Sequence, residues 1–510
     1  MGKQRQNRSK RTLTNTGVVS TAVHRPAEPA SQSPRITRKV QANSGAAFVR
    51  RLGLKTSSPA KAPRLSLFGW NIGMRPVLTT GAVPFMPHLV EIAPLETFQA
   101  LANVYFDKVD PCYGFIDKAQ FMERLNARWQ LNFPELPSAY DAVISGVAAL
   151  GCLFSQRNAT VMETQLVQVA RSILDSSDPC VPPSAEVLTG WTLRTVYLRL
   201  TDMPYATWMA SCTLMHLNEA AGIHSSSRSI LPLSASCSPD IAARLLGVAS
   251  HLNTWASYDL GLSRVRFQDH SKDILVSNEQ GDLMGHLLAL LPSSVTLDPS
   301  STEDDVDMTA QLAQVLEKKN DKPVLIMAQS NVALCMLRRI YSQNLVISNE
   351  LTAVVLGQLR LAFSAARTMV EDCAPWHHVI NVPFQSLCIL LTLDTSQSLD
   401  LAPEAMHTIK LVESAWDTDI TREAYATATW LVTLYRQRRN DDLQIFDRAL
   451  SSPYHDASEG SSQQGAPTAE ESSWLNALVA DMPGLQDIDL DAFWADDGMS
   501  QGLLLGNPTL

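Results

Sequence analysis

The sequence predicts an all-α fold: a large helical body between a disordered basic N-terminal arm and an acidic C-terminal tail. Three observations support this. Across residues 92–450 apolar side chains return every third or fourth position, the period of a helix face. Alternating strand patterns bounded by turn residues are scarce. Charge is segregated: fifteen of the 41 Lys and Arg lie in the first 75 positions beside a single acid, Glu28. That segment is +14, while the whole chain is −10.

Taken in order, residues 1–45 are rich in Thr, Ser, Pro, Gln and Arg and bury too little to offset chain entropy, so disorder is expected. Residues 46–91 form a connecting segment. There Phe48, Val49, Leu52, Leu65, Phe68 and Trp70 interleave with Arg50, Arg51, Lys55, Lys61 and Arg64. Docking on the body or folding on a partner is expected of it. The helical body spans 92–450. Leu95, Phe98, Leu101, Tyr105 and Val109 mark one helix face. Asp117 with Gln120 reads as a capping-box variant opening the helix of Phe121, Met122 and Leu125. Ala142 to Phe154 is the longest apolar stretch. It is too short to span a bilayer and reads as a buried helix. Pro204 precedes a helical run through Trp208, Cys212, Met215 and Ile223, and Asp240 is expected to cap the helix of Leu245 to Trp255. Further helices are expected near 324–343, 349–371, 384–393, 403–416 and 421–450. The acidic stretch 298–307 reads as a surface loop between two helical lobes. Residues 451–472 read as a flexible linker and 473–510 as an acidic-aromatic tail.

Composition narrows the class of function. Eight cysteines lie far apart with no C-x-x-C pair, which suits scattered thiols in a reducing compartment. The basic N-terminus has no apolar run behind it, so a secretory signal is not expected and an intracellular site is. No phosphate-binding glycine loop, nucleophile elbow or zinc-protease motif occurs. His377 and His378 are adjacent and are not expected to share a helical site. His216 and His224 lack the neighbours of a metal shell, so all four read as satisfied structural or surface histidines. Asp107 and Asp110 read as surface charge, and Leu287, Leu290 and Leu291 as core packing. Neither an enzyme nor a cofactor is expected.

The two ends carry the chemistry. Lys3, Arg5, Arg8, Lys10 and Arg11, with Arg35, Arg38 and Lys39, suit phosphate contacts with DNA or a nuclear-import signal. From Ser451 onward there are ten acids and no Lys or Arg. Within that stretch Asp487, Asp489 and Asp491 alternate with Ile488, Leu490, Phe493 and Trp494. Acids keep such apolar groups solvated until a partner groove orders them as an amphipathic helix, the pattern of segments that recruit the transcription machinery.

Four segments give a more specific reading. They are Tyr105-Phe106-Asp107-Lys108-Val109-Asp110-Pro111 followed by Phe115-Ile116-Asp117, Ala206 to His224 ending in Gly222-Ile223-His224, Ala243 through Trp255 to Arg264, and Pro375 to Gln385. In order and spacing they resemble the regulatory middle region of fungal binuclear-zinc-cluster transcription factors. The resemblance covers roughly 92–450. It implies an all-α helical regulatory domain and a nuclear regulator of RNA polymerase II transcription, often of a metabolic or secondary-metabolite gene set. Its implied partners are DNA, the transcription machinery or co-regulator proteins, and a second copy in a dimer; no membrane is implied. One departure stands out. The family's DNA-binding module holds two zinc ions with six N-terminal cysteines, whereas the first cysteine here is Cys112. The zinc cluster is absent from this chain and no metal ligands carry over. The alternative is a co-regulator that acts through a DNA-bound partner.

Overall fold

A computed structural model describes residues 72–74, 87–130, 137–178, 181–224, 238–267, 281–291, 307–342 and 345–451. They form helices α1 (Leu89–Ile92), α2 (Leu95–Lys108), α3 (Asp110–Tyr113), α4 (Lys118–Gln130), α5 (Ala139–Leu153), α6 (Val161–Asp175), α7 (Ala185–Thr201), α8 (Pro204–Ala220) and α9 (Pro239–Leu260). Then come α10 (Met284–Ala289), α11 (Met308–Glu317), α12 (Pro323–Ser342), α13 (Asn349–Glu371), α14 (His378–Leu393), α15 (Ser396–Leu399), α16 (Ala402–Trp416) and α17 (Asp419–Ser451). Among the described residues there is no strand.

Local chemistry sets most helix starts. Thr160, Ser184, Ser238 and Ser348 accept the orphan N–H groups of α6, α7, α9 and α13. Asp117 opens α4 by accepting the Gln120 N–H at 2.7 Å. Thr418 and Thr421 cap α17 reciprocally, each hydroxyl accepting the other's N–H. Asp240 is not the cap of α9, contrary to the sequence expectation. Proline favours the first helical position, so Pro239 sits there and Ser238 takes the cap. Asp240 instead pairs with Arg244 one turn on, at 3.0 Å. At its far end α9 stops at Gly261, whose φ of 64° is open to glycine without Cβ strain.

α14 departs further from expectation, beginning at His378 rather than after Pro383. Proline cannot donate to the preceding turn and should end a helix there. Burial overrides that rule, since every residue from His378 to Thr392 is buried. α14 is the central rod of the second half, with α12, α13, α16 and α17 packed around it. In the first half α5 plays that part, lying against α2, α6 and α7, while α8 fits between α7 and α9. α2 and α5 approach closely at Gly151, where a Cβ would stand 2.3 Å from the Leu101 carbonyl oxygen. The two halves are not separate lobes, because one continuous core runs from Ile72 to Leu431. Short α10 touches both α3 and α12.

Candidate functional site

The halves meet at a joint built from helix ends. Lys108, the last residue of α2, donates to the Phe154 carbonyl at 3.0 Å and the Asp372 carbonyl at 2.5 Å. These oxygens end α5 and α13, where unpaired carbonyls and the helix dipole favour a cation. Arg157 donates to the Val370 carbonyl of α13 at 2.9 Å. Trp376 wedges between Tyr113 and Phe154, with ring centroids 5.8 and 5.2 Å away.

Beside the wedge lies a buried polar cluster. The His251 ring of α9 meets Tyr113 edge-on at 5.9 Å, and the His377 and His378 rings lie 3.8 Å apart. Arg199 of α7 pairs with Asp259 of α9 at 2.5 Å. Arg338 of α12 donates to the Gln385 side chain at 3.1 Å and to the Cys335 sulfur at 3.2 Å. Burial, helped by the Arg199 charge, pushes His251 and His378 down to about 3. Burial first, then His378, Arg199 and His251, holds His377 well below the ordinary range. All three rings are therefore neutral at pH 7. His251 Nδ1, both His377 ring nitrogens and His378 Nε2 have no hydrogen-bond partner. Arg338 stays a cation: burial opposes its charge, and the Asp259 carboxylate is among the neighbours that offset it.

This chemistry does not suit catalysis. Histidines that titrate near 3 are poor bases at neutral pH. Burial raises Cys335, and pushes Cys112 and Cys388 up to about 12, so these thiols stay protonated. Among the described residues no group of three or more His, Cys, Asp or Glu is placed to hold a metal ion. A second polar knot lies under α3, where Arg244 also reaches Asp282 at 2.6 Å. Asp110 beside it is pushed up to about 7 by burial, against the pull of Arg244.

Several sequence expectations change here. His377 and His378 do come together, at the cap and first position of α14, with ring centroids 3.8 Å apart. They are buried and poorly hydrogen-bonded instead of satisfied. Asp110 is part of a half-buried ionic knot, not simple surface charge. His216 is exposed, 3.4 Å from Glu219, while His224 stacks on Phe267 at 5.0 Å. Leu287 is buried and Leu290 and Leu291 pack on the core, as expected. The basic-arm residues Lys3, Arg5, Arg8, Lys10, Arg11, Arg35, Arg38 and Lys39 lie outside the described residues, as do Asp487, Asp489, Leu490, Asp491, Phe493 and Trp494 of the tail. Sequence reasoning missed Lys108, Arg157, Arg199 and Arg338. The available signal was a cation set within an apolar stripe, as in Leu198-Arg199-Leu200.

Comparison with known proteins adds an independent line. The chain is 35 % identical to Protein RDR1 of Gibberella zeae over 477 residues, covering 92 % of this chain and 86 % of that protein. It is 33 % identical to Transcription factor kojR of Aspergillus oryzae over 447 residues, or 86 % of this chain and 78 % of that one. Protein RDR1 of Saccharomyces cerevisiae is 30 % identical over 424 residues, 82 % of this chain and 76 % of its own length. No family model and no solved structure matches the chain.

Proposed function

Because the chain belongs to the fungal transcription factors, the family of its relative kojR, we infer that it acts in the nucleus on RNA polymerase II genes, with a metabolic or secondary-metabolite gene set as its target. The carrying observation is that the similarity spans the whole helical body and not a short motif. In this reading the protein is a transcription regulator and not an enzyme, and the body is its regulatory domain. The basic arm supplies nuclear import and phosphate contacts, and the tail recruits the transcription machinery. The charge segregation and the acid–aromatic alternation of residues 487–494 support those roles. Chromatin capture of the full-length protein, paired with transcript profiling after its loss, tests the reading. Promoter occupancy at genes whose transcripts change is expected; occupancy at no promoter and an unaltered transcript profile would overturn it.

A second reading is favoured by the cysteines. Cys112, Cys152, Cys335 and Cys388 are buried in the helical body, far from the clustered spacing of a six-cysteine zinc module. The protein is then a co-regulator brought to promoters by a DNA-bound partner. DNA binding by the purified chain across a salt series separates the two. A steep loss of affinity with salt belongs to direct phosphate contact, and no binding at moderate salt belongs to the co-regulator. Tethered to a heterologous DNA-binding module, the tail should activate a reporter, and Phe493→Ala with Trp494→Ala should abolish that. Unchanged output would remove the tail's assigned role.

A further inference from the structure

Arg338 of α12 is a buried cation whose immediate partners are all neutral. It is 7 % exposed, and it donates through Nη1 to Gln385 Oε1 at 3.1 Å and through Nη2 to the Cys335 sulfur at 3.2 Å. Burial holds the Cys335 and Tyr258 protons in place, so neither group supplies negative charge. The carboxylate whose charge reaches Arg338 is Asp259, and it is already paired with Arg199 at 2.5 Å. His251, His377 and His378, which feel the Arg199 charge, are neutral. Two buried guanidiniums therefore share one carboxylate, and Arg338 makes no ion pair among the described residues. A buried charge left without a partner is costly.

The same two side chains hold unused donors. Arg338 Nε and Gln385 Nε2 are buried without a hydrogen-bond partner, and Gln385 is 1 % exposed. The Gln385 amide cannot be turned over to cure this, because its NH2 would then face the guanidinium, donor against donor. Guanidinium and amide touch, so one buried place offers two free N–H groups and one excess positive charge. Water would satisfy the N–H groups but leave the charge. A dianion would overshoot a single excess charge. A carboxylate brings one negative charge and two coplanar acceptor oxygens, the geometry that suits a guanidinium beside a second donor. We propose that the seam between α9, α12 and α14 binds a small monocarboxylate, its oxygens accepting from Arg338 Nε and Gln385 Nε2. Tyr258 and Asp259 belong to α9 in the first half, while Arg338 and Gln385 belong to the second. A bound carboxylate is thus a link across the joint, and its occupancy strengthens the contact between the halves. It gives the body a chemical input that is separate from the arm and the tail.

Acetate is the probe. The thermal midpoint of the full-length protein is followed by circular dichroism at neutral pH while sodium acetate replaces sodium chloride at constant ionic strength. No transcription component is involved, so failure here leaves the regulatory reading standing. A ligand bound by the folded chain alone raises the midpoint with the logarithm of its concentration once above its Kd. A general salt effect is the same in every variant. Arg338→Met keeps the length of the side chain and removes the charge, and it should weaken acetate by about a hundredfold. Its midpoint in chloride should stay at or above the native one, because an uncompensated buried charge is gone. Gln385→Leu keeps the charge and removes one donor, and it should weaken acetate by about tenfold, which keeps the test decisive if Arg338→Met does not fold. No shift of the native midpoint on exchanging chloride for acetate would overturn the proposal and leave water or an inorganic ion at the donors. An equal shift in the native protein and both variants would overturn it too.

Discussion

Replacing Gly151 with alanine should destabilise the body, although alanine is the better helix former. On propensity alone the change favours α5 by about 1 kcal/mol. The geometry opposes it. A Cβ at 151 would lie 2.3 Å from the Leu101 carbonyl oxygen, 2.8 Å from its carbon and 2.9 Å from the Leu101 Cβ. The first two are backbone atoms of α2, so no rotamer change relieves them and the two helices must move apart. Overpacking of this kind costs about 1–3 kcal/mol, and both helices are heavily buried, which places the cost towards the upper end. A net loss of about 1–2 kcal/mol is therefore expected. Gly357 of α13 is the matched control, because nothing stands within 4 Å of its Cβ position. The same substitution there should stabilise by up to about 1 kcal/mol. Urea denaturation followed by circular dichroism reads both, as opposite shifts in midpoint at constant slope. If the two variants shift the midpoint in the same direction, the close approach of α2 and α5 is wrong.

Two further outcomes follow from the joint and its histidines. Lys108→Met keeps the aliphatic stem but removes the donor to the Phe154 and Asp372 carbonyls; a loss of about 1–2 kcal/mol in the same denaturation assay is expected, and no loss would mean those helix ends are satisfied otherwise. His251 and His378 fall from an ordinary 6.5 to about 3 on folding, so the native state refuses protons that the unfolded chain accepts. Their contribution is complete above pH ~6.5 and declines as the pH falls towards 3, by up to about 1.4 kcal/mol per pH unit for each ring. Asp110, raised to about 7, acts with the opposite sign: it favours the fold below its unfolded value near 3.8 and loses that contribution as the pH rises through 7. Comparing native protein with His378→Gln at pH 7 and pH 5 isolates the histidine, and equal pH sensitivity of the two would refute the burial argument.

Much of the fold was legible because its causes are local. The apolar step of Leu95, Phe98, Leu101 and Tyr105 survives intact in α2, and the helices expected near 349–371 and 403–416 fall within a residue of α13 and α16. The cap of α9 was misplaced by two residues because Ser238 and Asp240 both offer an oxygen and only the intervening Pro239 decides between them. The start of α14 was misplaced because burial, a property of the whole fold, overrode the local cost of Pro383. The joint was illegible for the same reason: Lys108 and its Asp372 partner are 264 residues apart, and nothing near either marks the other. The histidine pair was not expected to share one helical site, because adjacent residues diverge around a helix. The structure brings their rings to 3.8 Å at the start of α14, and nothing local in the sequence marks that approach.

The fate of the body's cations bears on what the protein can touch. Beyond residue 75 the chain has 26 Lys and Arg against 50 acids, or −24. Several of those cations are committed inward. Arg128 pairs with Asp141, Arg199 with Asp259, Arg244 with Asp240 and Asp282, and Arg367 with Glu404, while Lys108 and Arg157 cap helix ends. A polyanion approaching the body meets net negative charge, so phosphate contact is expected chiefly from the +14 segment. Arm and body are thus separable variables. Neutralising arm residues such as Arg5, Arg8 and Arg11 should change the salt dependence of nucleic-acid binding and leave the denaturation midpoint in place. Breaking the joint should do the reverse.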